Sequence, residues 1–319
     1  MPLPRPLAIA FALACAVAQS AAAQQSPAQP EWCKSKWGPA DEIGAANLLT
    51  PELALRAAKL VTTGKTYALG VETNAGTPAY GSRSFHLVIL QPGQAGGAGL
   101  GPNLGTYNDD VIMGYVGIGS QLDGLGHLGV NNVYYNCNRA VDFVQPDGLR
   151  KLGIEKVPPI VTRGVLLDMT AYYGTDAVPG GTAFNRAEIE AQAKRQGVEI
   201  GSGDVVIFHT GWLDKYGADR AKYLAAEPGI GHGGAEYLVA KGVIAVGADN
   251  WGVEVSPAEK AHGDMAVHQL LLAKSGVYIL ETMNTGPLAR DRVSEFMFVL
   301  GAARITGGVQ AIINPIAIR

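Results

Sequence analysis

The sequence predicts a mixed α/β fold in a single domain, and three observations support this. Apolar, β-branched runs alternate with helix-period stretches through the second half of the chain. No linker or internal repeat divides residues 37–319. The 42 glycines among 319 residues follow no collagen or linker period and suit tight turns and close backbone approaches.

Each element has its own signal. Thr50 caps and Pro51 opens a helix running to about residue 61. Residues 66–72 and 85–91 read as strands, followed by a glycine-rich loop at 92–103. Residues 164–170 form a buried strand. Asn185, with Glu188 three residues later, starts a helix that stops at Gly197. A strand at 204–212, a helix at 234–242 and a strand at 243–250 come next. The last clear unit is a helix at 264–276, stopped by Gly276, and a strand at 277–282.

The N-terminus reads as a signal peptide over residues 1–23. Arg5 precedes an apolar run from Leu7 to Ala18, and Ala21-Ala22-Ala23 stands before Gln24. At about 12 residues the run is short for a bilayer span. Cys15 leaves a lipid-anchored form as the minor alternative. Residues 24–36 form a polar leader, and residues 37–319 a single domain. The expected location is periplasmic or secreted, with no membrane association after cleavage. Export permits a disulfide between Cys33 and Cys137. The sequence leaves that pairing open, because the separation of the two Cα atoms is not legible. A net charge of −3 gives no basic footprint for nucleic acid.

Among six histidines, two sit in contexts with chemical content. In Ser120-Gln-Leu-Asp-Gly-Leu-Gly-His127, glycines let the backbone crowd a ligand, so Asp123 and His127 can meet at one small site. His268 shares a helical face with Leu271 and Leu272, so it is buried and needs a partner. Glu281 shares a strand face with Val277 and Ile279, and a carboxylate there seeks a cation or a donor. Asp123, His268 and Glu281 make an N/O/O donor set for a divalent metal. A satisfied core histidine and a hydrogen-bonded turn are the plainer readings of the same residues. His209 reads as a strand-end histidine, His262 as solvated and His86 as structural. No G-x-S-x-G elbow is present, and Gly117-Ile118-Gly119 does not continue into a dinucleotide fingerprint.

The segment GIGSQLDGLGH resembles the H-x-G-T-H-x-D-x-P-x-H mark of the metal-dependent cyclase family, which includes kynurenine formamidase, isatin hydrolase and trans-dienelactone hydrolase. Gly119, Ser120 in place of threonine, Asp123 and His127 match it. VHQLLLAKSGVYILETMN resembles the family's late segment and places His268 and Glu281. WGPADEIGAANLLTPE, HTGW and GADN are also similar, so the resemblance runs from about Trp37 to about Leu288. It implies a compact β/β/α swivelling-domain-like fold with a mixed sheet, assembled as a homodimer or larger homo-oligomer. It implies metal-dependent hydrolysis of a small amide, cyclic imide or lactone.

The departures modify that expectation. The family's first two histidines fall on Gly117 and Gln121, and its proline on Leu125. The expected site therefore holds one divalent ion rather than two, on Asp123, His268 and Glu281, with Gln121 adding an amide oxygen. Such oxygen-rich ligation suits manganese or magnesium as well as zinc. His127 is expected to act as general base and then acid. Trp37, Phe85, Tyr115 and Trp212 are candidates for an aromatic substrate slot. His232, ahead of a helix, is a candidate contact for a substrate carboxylate, or a capping-loop residue. The rival expectations are a non-catalytic small-molecule binding protein with a degenerate metal site and a metal-dependent lyase or dehydratase.

Overall fold

Strands that are apolar on both faces need a sheet covered on both sides. Two such runs, Ile160–Asp168 and Val205–His209, lie at the centre of a nine-stranded sheet in the computed structural model. The structure describes residues 30–90 and 97–319. The signal segment 1–23, the leader up to residue 29 and part of the glycine-rich loop lie outside the described residues. The strands are β1 (Thr66–Ala68), β2 (Phe85–Leu90), β3 (Asp109–Gly114), β4 (Gln121–Asp123), β5 (Ile160–Asp168), β6 (Val205–His209), β7 (Ala245–Ala248), β8 (Tyr278–Glu281), β9 (Glu295–Leu300), β10 (Gln310–Ile312) and β11 (Ile316–Ile318). Short two-residue pairings complete the set.

The large sheet runs β1-β11-β9-β5-β6-β7-β8-β4-β10. Its centre, β5 through β8, is parallel. Both flanks are antiparallel. Helices α1 (Pro51–Ala58) and α2 (Arg186–Gln196) pack against β5 of this sheet, and α3 (His232–Lys241) packs on α2. This is the expected mixed α/β fold. Thr50 caps α1 by accepting from Leu53 N, and Asn185 with Glu188 forms the capping box of α2. The core is one continuous cluster spanning β5 to β9, with Val165, Leu167, Ile207, Val246, Leu280 and Phe298 fully buried.

Three expectations need correction in detail. The strand over 66–72 ends at Ala68. Beyond it, Gly70 lies against the Ile313–Asn314 backbone, where a Cβ would fall 2.8 Å from the Ile313 carbonyl. Val71 N then donates to Ser120 Oγ instead of a ladder partner. The first helix stops at Ala58, three residues early, and finishes in tighter turns. The helix over 264–276 begins late, because Met265 takes a left-handed φ of 61°. It is α-helical only over Ala266–His268 (α4) and continues as a π-helical turn over Gln269–Lys274. Wide turns of this kind often accompany functional sites. Gly276 closes it as expected, at φ 67°.

β2 and β3 pair only with each other and stand outside the large sheet. Leu87, Ile89, Ile112 and Met113 on this hairpin are more than half exposed. Cys33 and Cys137, 104 residues apart, form a disulfide. It ties the start of the described chain to the segment after the candidate site. A closed loop of this length restricts the unfolded chain strongly, so replacing both cysteines with alanine is expected to lower stability by about 2–5 kcal/mol. The midpoint of urea unfolding measures this.

Candidate metal centre and active site

Sheet order assembles the site. β8 pairs with β4 so that Glu281 lies opposite Gln121 and Ile279 opposite Asp123. β10 pairs with the other edge of β4 and sets Gln310 opposite Asp123. The two-residue period places Gln121, Asp123, Glu281 and Gln310 on one face. α4 lowers His268 onto that face. His268 Nε2 lies 3.2 Å from Glu281 Oε1 and 3.8 Å from Asp123 Oδ2. All five side chains are buried.

The polar partners are specific. Asp123 Oδ1 accepts from Gln310 Nε2 at 2.6 Å and from Gln121 Nε2 at 3.3 Å. Gln121 Nε2 also donates to Glu281 Oε2. Asp123 Oδ2 is buried and has no hydrogen-bond partner among the described residues. His127 Nε2 is 3.8 Å from that same oxygen, with its ring edge-on to His268 and its side chain one-fifth exposed. His268 Nδ1 meets Glu254 Oε1 at 2.8 Å, and the other Glu254 oxygen accepts from Val267 N. Glu254 therefore fixes the ring and leaves Nε2 facing the two carboxylates, as carboxylate–histidine–metal arrangements do.

The electrostatics follow from burial. Burial, reinforced by the negative Asp123, pushes the Glu281 carboxyl up to about 7. Burial works against a charged His268, but hydrogen bonds to Glu254 and Glu281 outweigh it and hold the imidazolium well above the ordinary value. His127 moves the other way. Burial depresses it, and His268 and Arg83 add to that against the pull of Asp123. The outcome is a neutral imidazole next to a buried carboxylate. Ligand atoms of Asp123, His268 and Glu281 lie within 4.8 Å of one another. The Asp123 oxygen without a hydrogen-bond partner and the His268 Nε2 that faces both carboxylates fit a divalent cation, which would take the place of the His268–Glu281 hydrogen bond.

The family model described as "Putative cyclase" matches residues 67–255. The chain belongs to the Cyclase family. A crystal structure of a novel cyclase is similar at 30% identity, with a TM-score of 0.81, covering 89% of this chain and 96% of that one. An isatin hydrolase bound to the product analogue thioisatinate is similar at 18% identity and a TM-score of 0.60, covering 84% of this chain and 98% of that one. Isatin hydrolase A from Ralstonia solanacearum is similar at 17% identity and a TM-score of 0.60, covering 84% and 97%. No curated protein matches.

In this Cyclase family member, Gly117 and Gln121 each have a structural setting that explains the residue. A Cβ at Gly117 would lie 2.4 Å from Gln310 Oε1, so the Gln310 amide occupies the space a side chain there would need. Gln121 meets the carboxylates through its amide nitrogen rather than the expected oxygen, because two facing carboxylates call for donors.

The remaining candidates are placed as follows. Trp212 is buried, with its indole nitrogen donating to Tyr223 O and its ring against Tyr216. Trp37 packs on the main core under the Lys36 ammonium. Phe85 is buried with Ala79 and Ile118, beside Ile312, the residue opposite Gln121. Tyr115 is half exposed after β3. His232 stacks on His262, and its backbone N–H at the start of α3 is already taken by Glu259. His86 and His262 are exposed. His209 is buried, 2.7 Å from Thr285 Oγ1 and 3.3 Å from Asp249 Oδ2.

Glu254 and Gln310 went unread in the sequence. Glu254 had a signal, a carboxylate between buried Val253 and Val255. Gln310 had none, since its place depends on β10 joining β4.

Two outcomes follow. Gly117→Ala is expected to push Gln310 off Asp123 and to destabilise the protein by about 1–3 kcal/mol, read by urea unfolding. Burial opposes the His209 imidazolium, yet Asp249 raises its pKa above 6.5. The resulting stabilisation is fully present below 6.5 and fades as pH rises through the raised value. The stability difference between the wild type and Asp249→Asn should therefore shrink as pH rises.

Proposed function

We propose that this chain is an exported metal-dependent hydrolase that opens a small amide, cyclic imide or lactone with one divalent ion bound by Asp123, His268 and Glu281. The observation that carries the reading is the unpaired, fully buried Asp123 Oδ2, flanked by the imidazoles of His127 and His268. A buried carboxylate oxygen left without a partner is costly unless a cation is its partner. When bound, the ion supplies Lewis acidity to a carbonyl and lowers the pKa of a water. Two carboxylates and one imidazole suit manganese, zinc or magnesium.

The protein's own groups do the rest. Neutral His127, partly open to solvent, takes the proton of the attacking water and returns it to the leaving nitrogen or oxygen. Glu254 holds the His268 tautomer. Gln121 and Gln310 secure Asp123 by one oxygen and leave the other facing His127 and His268. Isatin hydrolases among the similar folds support ring opening of a cyclic amide as the first class to test. The Cys33–Cys137 disulfide supports an oxidising compartment, periplasmic or secreted. The exposed apolar β2–β3 hairpin supports a homodimer or larger assembly.

Metal analysis of the purified protein is expected to find one equivalent of divalent ion, lost in Asp123→Ala that still folds by circular dichroism. His127→Gln should keep the ion and lower kcat by about 10²–10⁴-fold on an amide, imide or lactone that the wild type turns over. Absence of bound metal under every loading condition would favour a binding protein and defeat the hydrolase reading.

A further inference from the structure

Three strands away from β8 and its Glu281, the end of β5 carries polar groups that the proposed reaction leaves unused. A cavity of about 380 Å³ opens there between β5, α2 and the 289–294 turn. That volume suits a small molecule. One side chain, Gln196, locks the three walls together. Its Nε2 donates to Leu166 O and to Ser294 Oγ, each at 2.7 Å. Its Oε1 accepts from Asp168 N at 2.8 Å and from Gln192 Nε2 at 2.6 Å. The cavity is therefore formed before any ligand arrives, which lowers the cost of binding one.

Gln192, in the α2 wall, is 2% exposed. Its amide nitrogen donates to Asp168 O at 2.7 Å and to Gln196 Oε1, so turning the amide would set an oxygen against two acceptors. The orientation is fixed, and it leaves Gln192 Oε1 buried with no hydrogen-bond partner among the described residues. A buried acceptor in that state is costly until a donor reaches it. Two opposite charges line the same cavity. Asp168 Oδ1 accepts from Thr170 Oγ1 and Ala171 N, while its other oxygen accepts from no described residue. Arg292 is exposed, and its guanidinium has no ion-pair or hydrogen-bond partner among the described residues. Asp168 and Arg292 thus share a cavity without pairing with each other. Ser294 Oγ accepts from Gln196 and keeps its own proton to donate.

We propose that this cavity is a binding site for a small aliphatic α-amino acid, separate from the metal centre. An ammonium brings three donors, which suit Gln192 Oε1 and the open oxygen of Asp168. A carboxylate suits the forked guanidinium of Arg292 and the Ser294 hydroxyl. Leu166, Ala289 and Val293 supply the apolar surface that an aliphatic side chain covers. An amine alone would leave Arg292 unanswered. An acid alone would stand against Asp168 and leave Gln192 without its donor. A ligand with both charges answers every unpaired group at once. The site is independent of the hydrolase reading, because none of its residues belongs to the metal centre or supports it.

L-Leucine, 4-methylpentanoate and 3-methylbutylamine are the probes, titrated into the full chain as purified and followed by calorimetry. They share one branched side chain and carry both charges, the anion alone and the ammonium alone. Leucine is expected to bind roughly tenfold or more tightly than either analogue. Arg292→Gln, at an exposed position, should remove the advantage over 3-methylbutylamine. Asp168→Asn keeps Oδ1 as an acceptor for Ala171 N and should remove the advantage over 4-methylpentanoate. Asp123→Ala should bind leucine as the wild type does while losing its metal. A wild type that binds leucine no better than the analogues, or not at all, would overturn the proposal, and that result needs no variant. Unchanged leucine affinity in a folded Arg292→Gln protein would also overturn it. So would loss of binding in a folded Asp123→Ala protein, since the amino acid would then be held by the metal.

Discussion

Two carboxylates, Asp123 and Glu281, sit buried on the same face of neighbouring antiparallel strands, and most of the surrounding structure answers the repulsion between them. Isolated buried charges cost far more than a folded protein can spare, so each oxygen needs a donor, a proton or a cation. Gln121 bridges the two acids from β4, Gln310 serves Asp123 from β10, and His268 serves Glu281 from α4. Three of the four carboxylate oxygens are satisfied in this way. The fourth, Asp123 Oδ2, faces two imidazoles and is where the arrangement invites a metal.

The same constraint explains why His127 and His268 behave differently although both lie near Asp123. His268 is wedged between Glu254 and Glu281, and two hydrogen-bonded acids overcome its desolvation. His127 has no such clamp. Burial depresses it and the positive His268 and Arg83 depress it further, so it is neutral and able to accept a proton. One imidazole is prepared to hold and the other to exchange. That division of labour arises from which carboxylates each ring touches, not from the histidines themselves.

The glutamines give the centre its individual character. An amide donates without adding charge, so Gln121 and Gln310 quiet one side of the acid pair and leave Asp123 Oδ2 as the oxygen they do not serve. Gly117 is part of the same device. The absence of a Cβ is what admits Gln310, and any larger side chain would have to displace it. The space beside Gly117 and Gln121 is thus filled and hydrogen-bonded rather than void.

Much of this was readable before any coordinates. Period and caps gave α2, α3 and the central strands to within a few residues, because local hydrogen bonds and a buried face determine them. Asp123, His127, His268 and Glu281 stood out because polar groups in apolar or glycine-rich settings demand partners. The early end of β1 and the π-helical turn after His268 did not show, since both are imposed by neighbours distant in the chain. Nor did the Cys33–Cys137 pairing, the burial of Trp212, or the roles of Gln310, Glu254 and Arg83. The sequence by itself determined which side chains needed a partner. Only the tertiary structure decided which partner each received, because β10 reaches β4, and Arg83 reaches Gly117, through contacts between residues tens to hundreds of positions apart, which no local pattern encodes.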